Sequence, residues 1–295
     1  MAVVTTAVTG DDLGLLFGSG GAHGLDQTNH VRKFAAIQFR TVWVDCIVPA
    51  PEKARPMTAD RPPVLAHERF VADRDNFSGL DLAARFARIE RTNLWGAATS
   101  VSGLGSEDVA TAAIQEALPA LLQRLGVRSL LDAPCGDAGW IGRLKLDVDY
   151  TGIDIVPSLI DANRRRVAAD GSSGRFLVAD ITRDALPHAD VILCRDCLVH
   201  LSFANIYRAL AQFRMSGARF LLVTTFPEWD DNHDCEDGDW RALNMEKAPF
   251  GWPAPQAVID ERCEEGGGGW RDKSLGLWRL DELPENSFAS EAGAG

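Results

Sequence analysis

The sequence predicts an α/β protein, a doubly wound and mostly parallel sheet with helices on both faces. Three observations carry this. The strand candidates are short, unbroken apolar runs rather than polar/apolar alternations, so both faces of each strand are expected to be covered. Segments of helical period, with recognisable start and stop residues, separate most of these runs. Two late strand candidates joined by a glycine loop predict a closing hairpin, which makes seven strands with the last one antiparallel.

Taken in order, residues 1–56 read unlike the rest. "TGDDLGLLFGSGGAHGLDQTNH" has loop character, "AAIQFRTVWVDCIV" suits one strand, and "PAPEKARP" breaks it. We expect a poorly structured or non-native extension here, the latter if translation begins at Met57. Residues 57–106 are expected to form an N-terminal helix and a lid loop. Leu82, Phe86 and Ile89 follow a helical spacing after the N-cap candidate Asp81, and "NLWGAATSVSGLGSE" then makes a Ser/Gly loop. The core should span 107–283. Ser106 is expected to cap a helix carrying Ile114 and Leu118, which Pro119 kinks or restarts before Gly126.

The strand "VRSLLDA" leads to a short helix at "GWIGRLK", and the strand "YTGIDIV" to a helix that Pro157 opens and Gly171 ends. "RFLVAD" and "ADVILC" are the third and fourth strands. A helix from the cap Ser202 to Gly217 precedes the fifth strand, "RFLLVTTF", and "QAVIDERCE" with "KSLGLWRLDEL" make the hairpin. Trp252, Trp270 and Trp278 are expected to pack against it, and 284–295 to form a flexible tail.

Composition narrows the function. A net charge of −12 lowers the expectation of a nucleic-acid partner, because an acidic chain gains nothing from phosphate neutralisation. No apolar stretch approaches the roughly 20 residues of a membrane span, and the N-terminus lacks the order of a signal peptide. The six cysteines are scattered, and the Cys194/Cys197 pair lacks a second zinc-spaced pair. Buried free thiols in a reducing cytoplasm are the simplest reading. "EWDDNHDCEDGDW" gathers acids with His233 and Cys235, but such a run is ordinarily a solvated loop, and no metal is expected.

In an open parallel sheet, ligands sit at the carboxyl ends of the strands. Asp132, Asp154, Asp180 and the group Arg195, Asp196, His200 end successive strands here. Asp154 stands where an acid accepts hydrogen bonds from both ribose hydroxyls of an adenosine cofactor. Asp180 suits an adenine amine, and Asp132 a cationic amino group. NAD would explain Asp154 alone. Its fingerprint also wants glycine where "LLDAPCGDAGW" has Pro134. S-adenosylmethionine has no phosphate, which relaxes that demand, and its ammonium and adenine make acids at strand ends useful.

"LLDAPCGDAGW", "YTGIDIV", "FLVADIT" and "DVILCRDCLVHL" together resemble the successive cofactor motifs of class I, Rossmann-like S-adenosylmethionine-dependent methyltransferases. The flanking "FARIERTNLWGAATSVSGLGSE", "GDWRALN" and "APFGWPAP" resemble a bacterial branch of these enzymes. Pro134 and Ala138 depart from the usual glycines, so the loop should hold the methionyl group through fewer amides. The resemblance implies cofactor contacts at Asp132, Pro134, Gly136, Asp154, Ile155, Asp180 and Ile181, with Trp95 and the Ser102–Gly103 turn as a lid. Arg195 borders the same site, with an ion-pair role as its simpler reading. Asp137 reads equally as a helix N-cap.

His200 becomes the candidate base, with Asp196 orienting it or contacting substrate. Trp240 and Arg241 are candidates to reach the acceptor. The implied reaction is methyl transfer to an O or N atom of a small metabolite. A peptide or protein acceptor, a nicotinamide-dependent oxidoreductase and a non-catalytic cofactor-binding module are the alternatives. No nucleic-acid or membrane partner is expected.

Overall fold

The computed structural model describes residues 61–288, so the expectations for residues 1–56 lie outside the described residues. Seven strands form one sheet: β1 (Ser129–Asp132), β2 (Asp149–Asp154), β3 (Arg175–Val178), β4 (Val191–Cys194), β5 (Phe220–Thr225), β6 (Ala257–Asp260) and β7 (Ser274–Arg279). Their order is β3-β2-β1-β4-β5-β7-β6. The first five pair in parallel. β7 runs antiparallel to both of its neighbours, β5 and β6. This is the Rossmann-like methyltransferase fold with its reversed last strand.

The apolar runs explain the layering. Along the central strands alternate side chains point to opposite faces. Leu131, Ile192, Cys194, Leu221 and Val223 enter one buried cluster, and Leu130, Val191, Leu193, Phe220 and Leu222 enter the other. The first face is covered by α5 (Phe203–Met215), through Ile206, Leu210 and Phe213. The second is covered by α3 (Asp108–Leu125), through Ile114, Leu118, Leu121 and Leu122, and by Ile160 of α4 (Pro157–Asp170). Trp252 and Trp278 pack edge to face in the first cluster, their centroids 5.2 Å apart.

Local signals acted as expected at most ends. Asp81 accepts the Ala84 amide at the start of α2 (Leu82–Thr92), Ser202 accepts the Asn205 amide before α5, and Gly126 and Gly171 end their helices in the left-handed region. Ser106 differs. It lies in a 3-10 turn, Leu104–Ser106, with its hydroxyl on the Ser102 carbonyl, and Glu107 takes the N-cap position of α3. Pro119 does not interrupt α3, whose flanking Leu118, Leu121 and Leu122 are all buried. That burial offsets the one backbone bond proline removes. "GWIGRLK" makes only a 3-10 turn, Ile141–Arg143, since two glycines weaken it and β2 begins soon after.

A further helix, α1 (Leu65–Asp73), precedes α2. Phe70 of α1 packs with Phe77 and with Ile89 of α2 in a small separate cluster. Residues 285–288 form a 3-10 turn; buried Ser287 accepts from the Trp252 indole, and Glu285 pairs with Arg214 of α5.

Phe213 is fully buried between α5 and the sheet. Phe213→Ala is expected to lower the unfolding free energy by about 3–5 kcal/mol, read as a lower urea midpoint with an unchanged slope.

Candidate functional site

Parallel pairing of β1 with β2 aligns Asp132 with Gly152 and brings Asp154 forward of it, so two carboxylates enter one cavity from adjacent strand ends. Asp154 Oδ2 accepts the Gly136 amide at 3.0 Å and Oδ1 accepts the Val156 amide at 2.9 Å. Asp132 Oδ2 accepts the Tyr150 hydroxyl at 2.7 Å. Among the described residues no arginine or lysine forms an ion pair with either acid. Burial pushes the Asp132 carboxyl up to about 7, with a push from Asp154 and against the pull of the Tyr150 hydrogen bond and of the Arg195 charge beyond ion-pair distance. Burial likewise pushes Asp154 up to about 6, against the hydrogen bonds from the Val156 and Gly136 amides. Asp180 differs: its Oδ1 caps its own turn, accepting the amide and hydroxyl of Thr182.

The loop from β1 has no amide left for a ligand. Cys135 N donates to the Ile153 carbonyl, Gly136 N to Asp154, and Asp137 N to Ser102 Oγ; Ala138 N donates to the Cys135 carbonyl and Gly139 N to Asp137 Oδ1. Pro134 has none to offer. The expectation of fewer amides thus becomes no free amide between residues 134 and 139. Asp137 closes a turn and binds the Ser100 hydroxyl, rather than capping the 3-10 turn that follows. Gly136 has φ +54°, and a Cβ there would overlap the Ser102 side chain, so glycine is required where the loop of residues 100–106 meets the loop after β1.

This cavity encloses about 970 Å³, its open mouth included, beneath Leu82, Phe86 and Ile89 of α2. Trp95, Asp132, Pro134, Gly136, Asp154, Ile155, Asp180, Ile181, Arg195, Asp196 and His200 all line it. The residues expected at the cofactor, with His200 and Asp196, therefore border one space. A second space, about 520 Å³, adjoins it and shares Trp95, Ser102, Asp196 and His200.

His200 is buried, and its Nδ1 lies 2.7 Å from the Asp239 carbonyl. A carbonyl only accepts, so Nδ1 carries the proton and Nε2 of the neutral ring holds a lone pair. Burial lowers the imidazole to about 4, so it stays neutral above pH 5. The Trp95 indole stacks on it with centroids 4.5 Å apart. The orienting partner of His200 is thus the Asp239 carbonyl, not Asp196.

Asp196 belongs to a buried ion cluster that sequence reading missed. Its Oδ2 lies 2.6 Å from Lys273 Nζ and 3.4 Å from Arg195, while Glu261 Oε2 lies 2.7 Å from Arg195 and 3.3 Å from Lys273. Burial raises the Asp196 carboxyl, but Lys273 and Arg195 outweigh it and hold the group at about 2. Asp196 takes φ +49°, sparsely populated for a residue with a side chain, and its amide donates to Thr224 Oγ1. Arg195 also donates to the Gly105 carbonyl at 2.7 Å, which fastens the loop of residues 100–106. A signal for Glu261 and Lys273 did exist, because they face each other across the predicted hairpin, Glu261 N donating to the Lys273 carbonyl.

Other candidates fall elsewhere. Arg241 lines neither space; its guanidinium braces the carbonyls of Leu198, Leu201 and His233. Trp240 lines the second space, and so does Trp270, which packs on Phe226 and Trp240 rather than on the hairpin. In the acidic loop, Asp234 accepts the Phe203 amide and Asp237 the Ser202 amide and the Asn205 side chain, placing negative charge at the N-terminus of α5. No grouping of three His, Cys, Asp or Glu side chains suited to a metal occurs among the described residues. No helix among them is long and apolar enough to cross a membrane.

The family described as a methyltransferase domain matches residues 130–216, from β1 through α5. No curated protein matches the chain. Among solved structures it is similar to a protein from Pyrococcus horikoshii OT3, at 19% identity and TM-score 0.36 over 40% of this chain and 59% of that one. It is also similar to the methyltransferase domain of the bacterial protein CtHen1-C, at 15% identity and TM-score 0.35 over 39% of this chain and 66% of that one. A third is the N-methyltransferase NodS from Bradyrhizobium japonicum WM9 in complex with S-adenosyl-L-homocysteine, at 18% identity and TM-score 0.40 over 48% of this chain and 73% of that one. The chain thus spans under two thirds of the length of the first two. Residues 130–216 carry a methyltransferase domain of the class I kind, for which S-adenosylmethionine is the methyl donor.

Because the folded state holds a proton on Asp132 that the unfolded chain releases near pH 4, stability should fall as pH rises from about 4 to 7. Asp132→Asn keeps an acceptor for Tyr150 and removes the titration. The ligand-free variant is expected to gain on the order of 2–4 kcal/mol over the parent between pH 5 and 8, measured by urea unfolding at both pH values.

Proposed function

We propose that this protein is an S-adenosylmethionine-dependent methyltransferase acting on an O or N atom of a small metabolite in the cytoplasm. One observation carries the reading. The cofactor cavity offers two buried carboxylates without a cationic partner and a loop with no free amide. A pyrophosphate would meet negative charge and find no backbone donor there. A ligand carrying an ammonium and a sulfonium meets what the cavity lacks.

Asp154 retains lone pairs beyond its two backbone bonds and is assigned to the ribose hydroxyls. Asp132, deeper and bound only to Tyr150, is assigned to the ammonium. Asp180, whose Oδ2 also lies 3.6 Å from Arg183 Nε, is assigned to the adenine amine, with Ile155 and Ile181 lining the same space. Trp95 and the Ser102 loop cover it, and Pro134 and Gly136 shape its floor.

When bound, the cofactor supplies an electrophilic methyl group that needs no further activation. The chain's task is then to position the acceptor and exclude water. His200 Nε2 is the proton acceptor that the geometry favours, stacked under Trp95 and fixed through Nδ1. Asp196, anchored by Lys273, borders the acceptor space as a fixed polar wall. The buried, free Cys135, Cys194 and Cys197 suit a reducing compartment.

Calorimetry with S-adenosylmethionine and with NAD tests the reading. The first is expected to bind and the second not to. Asp154→Ala should weaken S-adenosylmethionine binding by about 1–3 kcal/mol, as for lost charge-assisted hydrogen bonds; unchanged affinity would contradict the assignment. His200→Gln is expected to lower kcat roughly 100-fold or more while the cofactor Kd stays put, which single-turnover and binding measurements separate.

A further inference from the structure

The second space invites a chemical identity for the acceptor. It lies against the shared wall of Trp95, Asp196 and His200, and its far side is built from Phe226, Trp240 and Trp270. Trp240 and Trp270 meet at 79° with centroids 4.8 Å apart, and Phe226 stands nearly perpendicular to both, at 89° and 82°. Such a corner presents aromatic faces and edges together, the surroundings a flat ring packs into best. Its volume of about 520 Å³, open edges included, suits a small molecule of one or two rings.

The charges argue as much as the rings. Lys273 is the cation that borders this space, and it is held between Asp196 and Glu261. Arg195 is held by Glu261 and by the Gly105 carbonyl. Two cations and two anions therefore close on one another. Among the described residues that line the space no positive group is left over to grip a carboxylate or phosphate, and Glu265, which also lines it, adds an acid that would repel one; the Asp196 charge is already answered by Lys273. Gly105 seals this arrangement, since a Cβ there would come within 2.5 Å of Asp196 Oδ2.

We infer that this second space is the methyl-acceptor site and that it takes a neutral, planar hydroxyaromatic compound, its hydroxyl toward His200 Nε2. The inference rests on the methyltransferase reading above and goes beyond it in naming the substrate class. A lone pair of the hydroxyl oxygen forms the new O–C bond, and the methyl's bond to sulfur breaks with its electron pair left on sulfur as a thioether. The hydroxyl proton passes to His200 Nε2 and then to solvent. An O–H group grows strongly acidic as the new bond forms, so a weakly basic imidazole suffices to take its proton late. An ammonium would have to give up its proton before it could attack at all.

The test incubates the full chain with methyl-labelled S-adenosylmethionine and matched panels: phenol, catechol and 2-naphthol; aniline and benzylamine; benzoate. Label is expected on oxygen in the first panel only. Two variants locate the chemistry. Trp240→Ala should lower kcat/KM for the hydroxyaromatic roughly 10–100-fold, and Ala66→Trp, whose parent residue lines the space from α1, should block transfer by filling it. Cofactor affinity within about twofold of the parent shows that each variant is folded. Label on nitrogen or carboxylate alone, no label on any panel although the cofactor binds, or transfer indifferent to Ala66→Trp would overturn the inference. Failure to bind S-adenosylmethionine at all would instead overturn the reading on which it rests.

Discussion

The amides of Gly136 and Val156 both point at the carboxylate of Asp154, and much of the site follows from that pair of hydrogen bonds. They draw the loop after β1 against the end of β2, where the remaining loop amides find partners in Ile153, Ser102, Cys135 and Asp137. A loop of the same length in a dinucleotide site would aim such groups at phosphate. Here they face inward, and the cavity is left with acids. Desolvation makes those acids hold protons that they would surrender in water. A cationic ligand removes that penalty, so the burial that disfavours the bare charges strengthens their hold on a cation.

The lid and the acceptor side depend on a second constraint. The loop of residues 100–106 is tied at one end to the cofactor loop, by Ser100 and Ser102 to Asp137, and at the other to the ion cluster, by Arg195 to Gly105. Trp95, just before it, stacks on His200 and faces both spaces. One short stretch of chain thus touches the cofactor loop, the base candidate and the anchored Asp196. The buried cluster of Arg195, Lys273, Asp196 and Glu261 gives this wall a fixed arrangement, since breaking one pair would strand a charge out of water. It fixes position rather than adding net charge.

The fold was legible because its signals are local. Two-sided burial writes unbroken apolar strands, and Asp81, Ser202, Gly126 and Gly171 mark helix ends one residue at a time. The acids Asp132, Asp154 and Asp180 were legible for the same reason: the first two end strands, the third lies two residues past one, and a parallel sheet gathers strand ends along one edge. What escaped was assembled across long sequence distances. Lys273 reaches Asp196 over 77 positions, and Arg195 reaches Gly105 over 90. The wall contributed by α1 leaves only a weak amphipathic trace in "LAHERFVAD". Ser106 misled because its neighbour Glu107 took the cap while the serine turned back to the lid. Arg241 misled because an arginine beside a candidate site can serve as a brace for carbonyls as readily as a ligand contact.

The central claim is that two buried carboxyls, which share about one proton, wait for a cation. At pH 6.5, with Asp132 near 7 and Asp154 near 6, the two together hold about one proton in the ligand-free protein. Calorimetric titration with S-adenosylmethionine at that pH, repeated in buffers of different ionisation enthalpy, counts the protons exchanged on binding. Release of close to one proton per cofactor, falling to about a quarter of a proton in Asp132→Asn, is the result this account predicts. Binding with no proton release, or with uptake, would contradict it.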